Sequence, residues 1–196
     1  MSNAIQTSSN SRGIVSWSHR SDSIHDLKKL KGESRAWGDA SSFVKNEVKK
    51  ELLKESSDLS LEDQAILLSI AHFESGFNPD AASPKSSASG VFQFIDSTGR
   101  AFGLDSESRF EATANIKAGI GLYKENLRLL PKGTTGVEKM IHMYALHHDG
   151  PSLKYGGAQL ARKYMVRSFY EYSRSLSRNS FSQSQDADMP IIQAKK

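Results

Sequence analysis

Ile116, Ile120, Tyr123, Leu127 and Leu130 recur at steps of three and four and stop against Pro131. That spacing lines one face of an α-helix and cannot line one face of a strand. A helix with one apolar stripe needs other elements to cover it, and the same period supplies them elsewhere in the chain. Asp39 or Ser41 can cap a helix with Phe43, Val44, Val48 and Leu52 on one face. Ser60 with Asp63 resembles a capping box and opens a second, with Leu61, Ala65, Leu68 and His72 at helical spacing before the stop signals Gly76 and Asn78-Pro79. Val137, Ile141, Tyr144 and His148 mark a further helix; Ala161, Met165 and Ser168, beside Leu160, Tyr164 and Phe169, mark a last one. With no alternating strand pattern and no internal repeat, the expected fold is all-α.

The expected domain spans about residues 39–172. Residues 1–38, rich in Ser, Asn, Arg and Lys without a sustained period, read as a flexible N-terminal arm whose Trp17 and Trp37 could dock on the domain or on a partner. Residues 173–196 read as a polar C-terminal tail. A chain of 196 residues with 37% apolar content can bury one real core. It has no cysteine, so packing alone must hold the fold, and neither thiol catalysis nor a thiolate metal site is open to it.

No stretch approaches the roughly 20 apolar residues of a membrane span, and Met1 to Arg20 lacks the apolar core of a secretory signal. The expectation is no stable membrane insertion and no visible leader. Ser2-Asn3-Ala4 resembles a cloning remnant, however, so a native leader could have been removed. A net charge of +4 suits an anionic partner such as a wall polymer, a membrane surface or nucleic acid. A basic stripe interleaved with aromatics is missing, which argues against nucleic acid.

The chemistry centres on Glu74. It closes the second helical pattern, where the helix dipole disfavours a carboxylate, and Phe73, Phe77, Phe92 and Phe94 provide apolar bulk nearby in sequence. Both influences raise a carboxyl pKa, the property a general acid requires to protonate a departing glycosidic oxygen near neutral pH. The plain alternative is a solvated glutamate at a helix end.

Several short motifs tip that balance. Glu74-Ser75-Gly76-Phe77-Asn78-Pro79, the turn Ser87-Ala88-Ser89-Gly90-Val91-Phe92-Gln93-Phe94 with Ser97-Thr98 behind it, Asn115-Ile116-Lys117-Ala118-Gly119, and Tyr144 follow one another in the order seen in the lytic transglycosylase (SLT) superfamily, which the chain resembles over about residues 59–170. The turn and the run Tyr144 to Pro151 are particularly similar to transglycosylase-type endolysins of large bacteriophages.

The resemblance implies a lysozyme-like fold, no cofactor, and peptidoglycan glycan strands as substrate. It implies Glu74 as the single acid/base, which cleaves the β-1,4 bond between N-acetylmuramic acid and N-acetylglucosamine. The sugar's N-acetyl group assists, an exception to the two-carboxylate scheme, and the product is a 1,6-anhydromuramoyl end. Ser75 would orient the acid or the N-acetyl group, Gln93 would hydrogen-bond a sugar, and Tyr144 would reach the glutamate. Phe92 either fills the core or stacks on sugar, and His147 or His148 is a possible substrate contact. The chain departs from the family pattern at Ser87, where glycine is usual, at Asp96, where proline is usual, and at Tyr144-Ala145-Leu146-His147, where Tyr-Asn-Ala-Gly is common.

Two other chemistries are open to the same residues. His142, His147, His148 and Asp149 lack a His-Glu-x-x-His pattern, and the spacing of 142 to 147 does not share a helix face well, so no metal site is expected. Asp80, Asp96, Asp105 or Glu107 could activate water across the cleft and make the enzyme a goose-type lysozyme. A catalytically silent glycan-binding or virion module would not need an acid with Gln93 and Tyr144 beside it. The expected protein is a monomer that acts on the bacterial wall as a phage lysin released through a holin or as a delivered effector. As an effector it would imply an immunity protein that plugs the cleft.

Overall fold

A computed structural model describes residues 37–187. Among these residues the architecture is all-α, with seven α-helices and no strand: α1 (Ser42–Glu55), α2 (Leu61–Ser75), α3 (Asp96–Ala101), α4 (Ala112–Leu127), α5 (Gly136–Asp149), α6 (Gly157–Tyr164) and α7 (Val166–Ala187). The starts of α1 and α2 follow the capping signals. Ser41 Oγ accepts from the Val44 N–H at 3.3 Å, and Ser60 Oγ accepts from the Asp63 N–H at 3.1 Å and donates to the Asp63 carboxylate at 2.6 Å.

Helix α2 is the hub, packed against α1, α5 and α7. The expected single stripe is too narrow for it. Every residue from Asp63 to Ala71 is buried, whereas Leu61, expected on the apolar face, is exposed. A helix enclosed by neighbours on all sides becomes apolar all round, and periodicity then stops reporting which face is inward. The charge buried on it is fully partnered: Asp63 Oδ1 accepts from Tyr123 Oη of α4 at 2.6 Å and from Lys139 Nζ of α5 at 2.8 Å. Burial pushes the Asp63 carboxyl up, but the Lys139, Ser60 and Tyr123 hydrogen bonds outweigh it and leave its pKa below the usual carboxylate value.

Three other expectations change. Helix α3 was not legible as a helix, because six residues carry too little period. The single last helix is two, α6 and α7, separated at Met165; Ala161, Met165 and Phe169 are all buried, so one apolar stripe crosses the break and reads as continuous. The tail expected from Ser173 is helical as far as Ala187, because α7 lies along α2 and buries Leu176. Its serines bond back to the helix, Ser173 Oγ to Phe169 O at 2.8 Å and Ser177 Oγ to Ser173 O at 2.9 Å, which spares them a competing turn. Residues 188–196 lie outside the described residues.

Trp37 docks on the domain. Its indole N–H donates to His72 O at 3.0 Å and to Phe73 O at 2.9 Å, two carbonyls in the last turn of α2, and its ring stacks on His72. The chain here passes so close that a Cβ on Gly76 would stand 2.5 Å from Gly38 Cα. Gly76 also holds φ at 60° as the left-handed cap of α2, so glycine is required twice over. The rest of the expected arm, including Trp17, lies outside the described residues. No described helix is long and apolar enough to cross a membrane.

Candidate active site

Glu74 stands in the final turn of α2 and faces a cleft of about 880 Å³. The wall opposite the helix end is the segment between α2 and α3, which folds back on itself through bridges Ala82–Ser89 and Ser89–Phe94. This loop cannot hold its shape alone, and α4 holds it. Asn115, fully buried, accepts from the Phe92 N–H at 2.9 Å and donates to Arg109 O at 2.9 Å and Ser89 O at 3.4 Å. One turn further along α4, Gly119 is the seat of the Phe92 ring; a Cβ there would lie 2.4 Å from it. Asn115 and Gly119, four residues apart on one helix face, therefore anchor the same loop by hydrogen bond and by space.

Two of the departures from the family pattern meet each other. Ser87 Oγ accepts from the Asp96 N–H at 3.0 Å, a donor that a proline at position 96 would not have. The Asp96 carboxylate pairs with the Arg109 guanidinium, which also donates to Ser87 O and Phe94 O at 3.0 Å each. Arg109 thus staples both ends of the loop. Nothing in its sequence surroundings marked it, since its partners lie 13 to 22 residues away.

The expected site residues fall into three groups. Glu74, Tyr144 and His147 converge. Tyr144, buried on α5, donates its hydroxyl to Glu74 Oε1 at 2.9 Å, and His147 Nε2 lies 3.8 Å from the same oxygen. His147 Nε2 is 3.1 Å from Phe92 O; a carbonyl only accepts, so this nitrogen carries the proton.

Gln93 and Phe92 reach the cleft, but with less to offer than expected. Gln93 Nε2 donates to Ala81 O at 3.0 Å and Gly90 O at 2.8 Å, which uses both amide hydrogens on the loop and leaves only the carbonyl oxygen for a ligand. Its φ of 51° is the left-handed conformation in a non-glycine residue, a local strain that the loop's bonds must hold. Phe92 is 1% exposed and Phe94 2%, so both rings serve the core, where their edges meet the His147 ring.

Ser75 does not reach the cleft at all. It is buried, and its hydroxyl donates back to Ala71 O at 3.1 Å within α2. Phe77 also leaves the site, because its φ of 62° turns the chain and sends its ring to His72 and Tyr172.

Burial is what sets the protonation states here. It raises the Glu74 carboxyl to about 7, against the opposing pull of the Tyr144 hydroxyl and of His148. It lowers the His147 imidazole to about 4, although the Phe92 carbonyl favours the charged form, so His147 is neutral across the physiological range. Of the aromatic residues expected around Glu74, Phe92 and Phe94 line its cleft and Phe77 does not, while Phe73 packs edge to face at 5.3 Å on Tyr144, the ring whose hydroxyl holds the carboxyl.

Of the carboxylates considered as a second catalytic group, Asp80, Asp96, Asp105 and Glu107 do not line the cleft. Asp96 is held by Arg109, and Asp105 by Ser108. Two other acids do line it, Glu125, exposed on α4, and Asp149, whose carboxylate takes His148 Nδ1 at 2.6 Å and the Gly157 N–H at 3.1 Å. His148 and Asp149 form a pair with no third ligand, and the described residues hold no cluster of three metal-binding side chains.

Comparison with the curated proteins and with the solved structures finds no match. Residues 51–145 match the family model of the transglycosylase SLT domain. The match runs from α1 to Tyr144 and so takes in Glu74, the folded-back loop and the Asn115–Gly119 anchor. Members of this family are peptidoglycan lytic transglycosylases, and the lysozyme-like all-α fold is the one described above. This chain therefore carries a transglycosylase SLT domain, of the lytic transglycosylase superfamily and of the type that degrades peptidoglycan.

Proposed function

We propose that the protein is a peptidoglycan lytic transglycosylase in which Glu74 alone serves as acid and then as base. The observation that carries this reading is the environment of Glu74: a carboxyl raised to about 7 by burial, held by the Tyr144 hydroxyl, on the wall of a cleft with room for sugar rings. Near pH 7 about half of such groups carry the proton that the leaving oxygen needs. The glycosidic oxygen takes that proton and the bond from C1 of N-acetylmuramic acid breaks. The sugar's own N-acetyl oxygen then stabilises the electron-poor C1. Glu74, now a carboxylate, accepts the proton of the C6 hydroxyl as its oxygen bonds to C1. The 1,6-anhydro ring closes, no water is consumed, and Glu74 is protonated again.

Tyr144 keeps the carboxyl aimed through both proton transfers, and neutral His147 holds the Phe92 carbonyl, and with it the loop, over Glu74. Gln93 offers its carbonyl oxygen to a sugar N–H or hydroxyl. The similarity of the run Tyr144 to Pro151 to phage endolysins supports a bacteriolytic setting: a phage lysin, or an effector delivered across an envelope and restrained by an inhibitor that fills the cleft.

Digestion of purified peptidoglycan followed by mass spectrometry tests the reaction. Released muropeptides are expected to end in anhydromuramic acid, one water lighter than hydrolytic products. Reducing ends would instead assign a water-activating role to Glu125 or Asp149 and make the enzyme a lysozyme. A second test is Tyr144→Phe. The hydroxyl favours the ionised form of Glu74, so its loss raises the Glu74 pKa. The alkaline limb of the pH–rate profile, set by loss of the acid's proton, is expected to move to higher pH while kcat falls by about 10-fold. An unmoved limb would mean that Glu74 is not the group that titrates.

A further inference from the structure

Ile95, Leu129 and Tyr155 are exposed apolar side chains, and all three line the cleft of Glu74, from the segment before α3, the segment after α4 and the segment after α5. Scattered exposed apolar residues need no explanation, but three that converge on one cleft do. Tyr155 is the most open of them at 73% exposure.

Its loop is built to hold it there. Asp149 accepts the Gly157 N–H on both oxygens, at 3.1 and 3.2 Å, and also engages the Tyr155 backbone and His148 Nδ1, at 2.6 Å for the latter. The backbone between is bent through left-handed φ values at Gly150, Leu153 and Gly156, and for Leu153 that conformation is a cost the loop sustains. A loop backbone fixed in this way presents the ring to the cleft without rearranging, which lowers the ordering cost of binding.

Resting on the glycan-cleaving reading above, we propose that Tyr155 is a stacking platform for a pyranose ring of the glycan strand, with Ile95 and Leu129 as its apolar companions on the rim. A pyranose ring presents C–H groups on its face and hydroxyl and amide groups at its edge. Tyr155 fits the face, and Ser83, Thr98 and Asn126, which line the same cleft, fit the edge. A second copy of the chain or a lipid surface would match the apolar side chains but would leave those polar groups unanswered.

The test uses the full chain with Glu74→Gln, so that substrate is bound and not cut, and isothermal titration with uncleaved N-acetylglucosamine–N-acetylmuramic acid oligosaccharides. Adding Tyr155→Ala is expected to weaken binding about 3- to 10-fold. Tyr155→Phe and Tyr155→Trp are expected to retain it, and Tm should not change because the ring is exposed. Equal binding with and without Tyr155→Ala overturns the platform and leaves the enzymatic reading standing. Failure of the Glu74→Gln protein to bind any oligosaccharide overturns both. A change in self-association or in binding to anionic vesicles, with glycan affinity unaltered, also overturns the platform and reassigns the rim.

Discussion

Glu74→Gln is expected to fold, to bind peptidoglycan and to release no muropeptides, a loss of at least about 10³-fold in kcat. Glutamine keeps the shape and can still accept from the Tyr144 hydroxyl, but it can neither donate a proton to a leaving oxygen nor take one from a hydroxyl. Linkage supplies a check independent of activity. The Glu74 pKa is about 7 in the folded state against 4.5 for an ordinary glutamate, so the folded state binds the extra proton between those limits. Its stability contribution is complete below about 4.5 and disappears as pH rises through about 7, a loss of the order of 3 kcal/mol when Glu74 in the unfolded chain titrates as an ordinary glutamate.

His147 works in the opposite sense. Its folded pKa is about 4 against 6.5, so stability rises as pH increases through that window. Where the two windows overlap they offset each other, and above about 6.5 only the Glu74 loss remains. Urea unfolding at pH 5 and pH 8 is therefore expected to show Glu74→Gln gaining on the parent protein as pH rises. An advantage that is the same at both values would mean that Glu74 is not held protonated by burial.

Asn115→Leu is the second large effect. Leucine is close in volume but leaves the buried Phe92 N–H without an acceptor and Arg109 O without its donor. At roughly 1–3 kcal/mol for each of the two orphaned groups, the loss of stability is expected to be about 2–6 kcal/mol. Denaturant titration measures it as a lower midpoint with unchanged slope. The same loop carries Gln93 and the Phe92 carbonyl that His147 grips, so cleavage of peptidoglycan is expected to fall with it even at temperatures where the variant is folded. A stable Asn115→Leu protein that has lost its activity would confine the role of Asn115 to the cleft; a destabilised one with full activity would confine it to the fold.

The helices were legible because their apolar residues recur with a period that a single stripe of burial imposes. α4 and α5 obey this, with Ile116, Ile120 and Tyr123 on one and Ile141 and Tyr144 on the other all buried. α2 does not, since burial on every side erases the stripe, and α3 is too short to have one. In the site, Glu74 and Tyr144 were legible through a resemblance whose pieces lie 70 residues apart and meet at 2.9 Å. The same resemblance put Ser75 in the cleft, yet at the end of a helix the direction of a serine hydroxyl depends on which carbonyl is free, and Ala71 O takes it. Gln93 was legible as a polar group, but the loss of both its donors to the loop was not. Arg109 passed unnoticed and Asp149 was weighed only as a metal ligand, because each works by closing a loop on itself, which no local pattern announces.

The helical period and the capping signals determined by themselves that the chain would be all-α with an acid at the end of its second helix, and the order of its motifs carried the resemblance to an SLT domain. The tertiary structure decided how acidic that acid is. A pKa depends on what surrounds a carboxyl in space, and the groups around Glu74 come from α5 and from the loop that Asn115 and Arg109 hold in place. They are contiguous only once the chain has folded and water has been displaced from between them.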